Sequence, residues 1–289
     1  MISRRAALAL PALLGACSPQ DLANALTPRG TTAVQEGISY GPGERGRYDL
    51  YTPQGAMPDT PLIVFFYGGG WRSGDRGEYG FVARPLAALG ALVAVPDYRL
   101  FPAVRWPAFV EDGAAALRAV AAGPGAGRPV IVMGHSAGAF IALALALDPR
   151  WLGRPGRDAL AGGIGLAGPY DFGPEDDPDG IFAAAPGKRA RAAPAEESEL
   201  LGVPPLLLLH GTDDTTVRPE QTRRLATRAR AQGVPVQERL YPGVGHIGIL
   251  ASISAPARTL GLSGAPVLED IAGWLPGIRR SPSRAAPTG

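Results

Sequence analysis

Cysteine is nearly absent: Cys17 stands alone among 289 residues. No intramolecular disulfide can form, and a cysteine nucleophile or a thiolate metal cluster is excluded beyond residue 17. Histidine is almost as scarce, with three in the chain, so a general base can be sought by elimination. Charge imbalance is missing too. The formal net charge is +2, and no Lys/Arg block interleaved with aromatics occurs, which argues against a nucleic-acid partner. The one clearly apolar stretch near the N-terminus, Ala6 to Leu14, is too short to span a bilayer. What is plentiful is apolar side chain, 46% of residues, enough to bury the core of one α/β domain.

The N-terminal segment has a chemistry of its own. Arg4 and Arg5 precede the apolar stretch, and Leu14-Gly15-Ala16-Cys17 follows it. This resembles the lipobox of bacterial lipoproteins, which implies cleavage before Cys17 and lipidation of that residue. Ser3-Arg4-Arg5 with Leu8 looks like a twin-arginine export signal, and a plain Sec signal is the other route. The expectation is a signal peptide over 1–17 and a tether over 18–30. An anchored domain at the periplasmic side of a bacterial envelope would follow, with Ser18 compatible with the outer membrane. The Pro/Ser/Ala-rich residues 276–289 read as a disordered tail.

Between these ends, strand-like and helix-like stretches alternate. Tyr48–Tyr51, Pro61–Tyr67, Ala91–Val95, Val130–Met133, Gly163–Ala167, Leu206–Leu209 and Val236–Tyr241 read as strands. Several are continuous apolar runs, as suits strands covered on both faces, whereas Val236–Tyr241 alternates like an outer strand. Phe81–Leu89, Val110–Ala122, Phe140–Leu147 and Pro219–Gln232 read as helices. The pattern predicts one α/β domain over 31–275, with a mostly parallel central sheet and helices on both faces. Residues 171–200 break the rhythm and read as a small cap or lid insertion, or as a surface loop.

Candidate chemistry collects at the carboxyl ends of these strands, where ligands of such sheets bind. Gly134-His-Ser-Ala-Gly138 links a strand to a helix, a G-x-S-x-G turn that pushes a serine hydroxyl outward. Taken alone, the pentapeptide could be a small-residue turn with an incidental serine. Its partners decide. Ser136 needs a histidine, and His246 lies in the glycine-rich loop Tyr241-Pro-Gly-Val-Gly-His246 after the last strand. His135 should project away from its neighbour, and His210 shapes the loop it opens by hydrogen bonding. The acid should fall between serine and histidine in sequence, and His210-Gly-Thr-Asp-Asp-Thr-Thr-Val217 offers two aspartates. Asp214 fits an H-G-x-x-D-x-x-V spacing, and Asp213 is one residue out of register. Tyr67-Gly-Gly-Gly-Trp71 can expose successive N–H groups, so Gly69, Gly70 and Ala137 are the candidate oxyanion donors. A phosphate cradle is the alternative for these glycines, but no G-x-x-x-x-G-K-[ST] pattern follows.

These motifs, with Pro96-Asp-Tyr-Arg-Leu-Phe-Pro102 and Trp106-Pro-Ala-Phe-Val-Glu-Asp112, resemble α/β-hydrolase-fold serine carboxylesterases of the hormone-sensitive-lipase-like and feruloyl-esterase-like group, from about Tyr48 to Leu250. The resemblance implies an α/β-hydrolase fold and cleavage of short-chain acyl or aryl carboxylic esters, with no cofactor or metal. It also implies that Arg99 and Asp112 brace loops around the site. One departure stands out: related esterases usually begin the oxyanion loop with histidine, and this chain has Tyr67. An aryl formamidase or other amidase is the rival reaction, since that group shares the glycine loop ending in tryptophan. A non-catalytic, envelope-binding lipoprotein is the rival of another class.

Overall fold

The structure is a computed structural model that describes residues 19–171, 177, 179–182 and 200–280. Eight strands form one sheet in the order β1-β2-β4-β3-β5-β6-β7-β8. They are β1 (Ala33–Ser39), β2 (Arg47–Thr52), β3 (Leu62–Phe66), β4 (Leu92–Pro96), β5 (Val130–His135), β6 (Gly162–Leu166), β7 (Leu206–Gly211) and β8 (Val236–Tyr241). Strand β2 pairs antiparallel with β1 on one side and with β4 on the other, and all other pairs are parallel. Nine helices accompany the sheet among the described residues: α1 (Pro19–Leu26), α2 (Gly80–Ala88), α3 (Ala108–Ala122), α4 (Ala137–Leu147), α5 (Pro149–Asp158), α6 (Glu220–Ala231), α7 (Gly248–Ala251), α8 (Ala255–Thr259) and α9 (Val267–Arg280).

The apolar runs explain the order. Every residue of β3, β4, β5 and β7 is buried, because helices cover both sheet faces at the centre. Each aliphatic or aromatic side chain so enclosed contributes roughly 1.5–3 kcal/mol relative to exposure. By contrast, β8 alternates half-buried with exposed residues and closes one edge. Helix α4 is apolar on all sides and fully buried, so it packs directly behind β5 and sets the height of the turn between them.

Four elements differ from the pattern-based expectation in ways their residues explain. Strand β1 carries Gly37 and a bulge between Gln35 and Ile38, which erases a clean alternation. Segment α5 is kinked at Gly153, whose φ 71° and ψ 158° are not helical, so it is two short helical turns. Asp148 caps the first by accepting from the Arg150 N–H at 2.8 Å, and Pro155 lies in the second. Part of the segment 18–30 expected as a tether is helix α1. It docks on the domain through Asn24, whose amide donates to Gly77 O at 2.9 Å and accepts from Phe81 N at 2.7 Å. Likewise α9 takes in the first five residues of the expected tail, 276–280, because Leu268, Ile271, Trp274 and Leu275 form a buried stripe at helical spacing. The expected signal segment 1–17 with Cys17, residue 18, most of the insertion 171–200, and residues 281–289 lie outside the described residues.

Candidate active site

Strand β5 ends in a turn whose apex residue, Ser136, has φ 53° and ψ −122°. A non-glycine side chain in that region is strained, and the strain persists only where packing over-determines the backbone. Here the packing is visible. A Cβ on Gly134 would stand 2.2 Å from Gly138 O, and one on Gly138 would stand 2.1 Å from Phe66 O. Only glycine permits this approach, so the two glycines of the G-x-S-x-G turn are steric necessities. Ser136 N also donates to Leu166 O at 2.9 Å, tying the turn to β6. Ala137 opens helix α4, so its N–H has no partner within the helix and sits at the positive end of the helix dipole.

The three sequence candidates meet at this turn. His246 Nε2 lies 2.9 Å from Ser136 Oγ, and His246 Nδ1 lies 2.7 Å from Asp214 Oδ2. A carboxylate only accepts, so the proton sits on Nδ1 and Nε2 is left to accept from the serine hydroxyl. Asp214 is the carboxylate that His246 meets; Asp213 instead is exposed and accepts from the Thr212 hydroxyl at 2.8 Å. Burial pushes the Asp214 carboxyl upward, but hydrogen bonds from His210, His246 and Val217 N–H outweigh it and hold the group well below the usual carboxylate range. Its Oδ1 accepts from Thr216 N at 2.9 Å and Val217 N at 2.8 Å, which leaves Oδ2 for the histidines. His210 Nε2 donates to Val217 O at 2.9 Å and to Asp214 Oδ2 at 3.1 Å, so this histidine does shape the acid loop.

The glycine loop passes beside the serine. A Cβ on Gly68 would lie 3.2 Å from Ser136 Cβ. Gly69, Gly70 and Trp71 all have positive φ, at 119°, 60° and 59°. Gly69 O accepts from Arg72 N at 3.0 Å and Ser73 N at 3.1 Å, closing a tight turn that holds the loop. Tyr67, which stands where related esterases carry histidine, is buried between two rings, stacked on Tyr79 at 5.0 Å and on Tyr98 at 4.8 Å. Its phenol donates to Asp97 Oδ1 at 2.7 Å and accepts from Arg45 Nη1 at 3.1 Å. Asp97 in turn pairs with Arg76, which also holds Asp49. Tyrosine thus orders the loop base through a buried ionic network that sequence reasoning did not find, since its members lie far apart in the chain.

Comparison with known proteins agrees with this topology. Residues 63–180 match the alpha/beta hydrolase fold family, and residues 180–259 match the prolyl oligopeptidase family. A kynurenine formamidase of Danio rerio is 30% identical over 146 residues, 50% of this chain and 50% of that protein. A probable isoprenylcysteine alpha-carbonyl methylesterase of Oryza sativa is 28% identical over 246 residues, 75% of this chain and 58% of that protein. This chain therefore spans only about half the length of the relatives it matches. Esterase B of Lactobacillus rhamnosis superposes with a TM-score of 0.72 at 17% identity, over 95% of this chain and 94% of that one. The chain has the α/β-hydrolase fold.

In this hydrolase fold the loops around the serine are braced as the resemblance implied. Arg99 grips Asp112 with its Nε at 2.9 Å and its Nη2 at 2.8 Å, and its backbone N–H adds a third bond. The described part of the insertion is docked rather than projecting. Asp177 accepts from Ile181 N and Phe182 N at 2.7 and 2.9 Å, and Ile181 O accepts from Trp106 N. Phe182 then completes an aromatic cluster, with ring centres 5.0 Å from Trp71, 5.4 Å from Phe140 and 5.7 Å from Phe109. Sequence reading missed this cluster because its members come from four separate segments.

Proposed function

We propose that this protein is a serine carboxylic-ester hydrolase acting through an acyl-enzyme. The observation that carries the reading is the unbroken path from Ser136 Oγ through His246 to Asp214, set beside the glycine loop. Ser136 Oγ attacks the ester carbonyl carbon while its proton passes to His246 Nε2. The carbonyl oxygen becomes an oxyanion, for which the N–H groups of Gly69, Gly70 and Ala137 are the donors. Collapse of the adduct expels the alkoxide, which takes the proton from His246 and leaves as the alcohol. Water then attacks the acyl-enzyme, giving its proton to His246, and the returning proton restores Ser136 as the carboxylic acid departs. Each oxyanion donor is worth roughly 10²–10³ in turnover.

The test is hydrolysis of short p-nitrophenyl esters by the purified protein. Wild type should turn over and Ser136→Ala should lose that activity; equal rates for the two would overturn the reading. A second reading is aryl formamidase, favoured by the 30% identity to the fish kynurenine formamidase over 146 residues. It predicts that formyl anilides are cleaved much faster than acetyl or butyryl esters in the same assay series.

We also propose that the segment before residue 18 exports the chain and that Cys17 is lipidated, holding the hydrolase at the bacterial envelope. Support comes from Arg4, Arg5, the short apolar stretch and Leu14-Gly-Ala-Cys17. Cells fed an alkyne fatty acid should label the wild type and not Cys17→Ser, which should leave the membrane fraction. Equal labelling of both would refute it.

A further inference from the structure

The triad uses two of the three histidine-bearing motifs, His246 directly and His210 through Asp214. His135 is left over. It is 3% exposed, at the end of β5 and immediately before Ser136, and its ring touches neither the serine hydroxyl nor Asp214 by any hydrogen bond described above. Its Nε2 lies instead 3.1 Å from the main-chain oxygen of His246, and the two imidazoles are 4.8 Å apart at 42°. A carbonyl oxygen only accepts, so Nε2 carries the proton and donates. The opposite side of the ring faces the glycine loop: a Cβ on Gly68 would stand 2.9 Å from His135 Nδ1. One buried ring is therefore in contact with the loop of the base and with the first glycine of the oxyanion loop, while its own backbone leads into the nucleophile.

We propose that His135 is a positioning residue, setting the His246 imidazole against Ser136 by holding the His246 carbonyl. The inference rests on reading His246 as the general base. The loop that carries His246 needs such a hold, because Gly243 and Gly245 give it little restraint of its own, Gly243 at φ 75°. Upstream it is tied to the acid loop, with Asp213 N donating to Val244 O at 3.0 Å and Gly243 N to the Thr212 hydroxyl at 3.2 Å. Downstream, Ile247 O accepts from Leu250 and Ala251 as helix α7 begins. The peptide of His246 lies between these ties, and the His135 donor fixes it to β5, a strand buried along its whole length. A shift of about 1 Å in a catalytic group costs on the order of 10²-fold in rate, so one peptide-plane constraint at this point has leverage on turnover.

The ring is also suited to the place electrically. His246 becomes an imidazolium when it takes the serine proton, and a second cation 4.8 Å away would oppose that. Burial, and then the neighbouring His246, push the His135 pKa down to about 3. His135 thus stays a neutral donor throughout the range in which serine hydrolysis runs, and does not compete for the proton.

The test compares three substitutions. Gln at 135 presents an N–H about as far from the backbone as Nε2; Asn presents the same amide about one bond shorter; Leu presents none. On p-nitrophenyl acetate, His135→Gln should keep kcat within about 3-fold of wild type, while His135→Asn and His135→Leu should lose about 30–100-fold with KM within about 3-fold. The proton between His246 Nδ1 and Asp214, read as a downfield resonance by NMR, should persist in wild type and His135→Gln and shift or vanish in His135→Asn. Because Asn and Gln are chemically alike, their difference survives even if His135→Leu does not fold. Equal kcat and equal resonances in the Asn and Gln variants would overturn the proposal. If Ser136→Ala keeps the wild-type rate, the hydrolase reading falls, and the resonance still tests the bracing. If Ser136→Ala is inactive while His135→Asn matches wild type in both readouts, the hydrolase reading stands and this inference falls.

Discussion

At the scale of single residues, Tyr67 exemplifies how a hydrogen-bonding job can pass from one side chain to another. A histidine at the head of such a loop can order it by hydrogen bonding; here a phenol reaches Asp97 instead and its ring fills the space between Tyr79 and Tyr98. Burial, with Tyr98 and Asp97 alongside, raises the phenol pKa far above its usual value, so the group remains a protonated donor. Tyr67→Phe removes a charge-assisted bond to a buried carboxylate, and should lower stability by about 1–3 kcal/mol in urea denaturation. Because Asp97 keeps Arg76 and the loop glycines are untouched, kcat should fall by well under the roughly 10²–10³-fold expected for losing an oxyanion donor. A larger loss would mean that the phenol itself contacts substrate. Ser136, His246 and the acid loop were legible in sequence because their spacing and order are local signals. The Tyr67–Asp97–Arg76–Asp49 network was not, since nothing in the chain announces which distant aspartate a buried phenol will meet.

At the scale of elements, the turn between β5 and α4 is set by how closely backbones approach. Gly138 lies against the end of β3, where a Cβ would stand 2.1 Å from Phe66 O and 2.3 Å from Tyr67 O. Gly138→Ala should therefore push α4 off the end of β3, costing about 1–3 kcal/mol or more and most of the activity. Gly273 offers the contrast within one protein. It lies exposed in helix α9 with no neighbouring atom within 4 Å of where an added Cβ would sit, so Gly273→Ala should raise stability by about 0.5–1 kcal/mol and leave activity unchanged. Thermal or urea unfolding of the two variants checks both signs. The central strands and the helices of the sheet could be read from apolar runs, whereas β1, α5 and α1 could not. Each of those carries a glycine or proline, or sits at the rim, where partners outside the segment supply the missing stability.

At the scale of the whole molecule, stability should fall toward acid for two reasons of the same sign. A neutral buried histidine is protonated more readily in the unfolded chain, so His135, at about 3 when folded against an ordinary value of 6.5, withdraws stability as pH drops below 6.5. Each pH unit in that window costs up to about 1.4 kcal/mol. Asp214 acts later: its carboxyl is held below the ordinary value of 3.8, so its contribution is complete above that pH and is lost only below it. Urea titrations from pH 7 to pH 4 should show a decline in wild type that is markedly flatter in His135→Gln. Identical slopes would mean that the ring is not neutral and buried in solution.

What the chain determined by itself was the set of local events: strands from apolar runs, a serine turn from two glycines, a candidate acid and base from their order, and a loop able to expose N–H groups. These are properties of neighbours along the backbone, and steric and hydrophobic rules act on neighbours directly. What only the tertiary structure decided was every relation between segments. The approach of His246 to both Ser136 and Asp214, the hold of His135 on the His246 carbonyl, the burial of Tyr67 among two tyrosines and an ion pair, and the aromatic cluster joined by Phe182 all depend on distances across the sheet. Packing sets those distances, and packing is the sum of the whole fold.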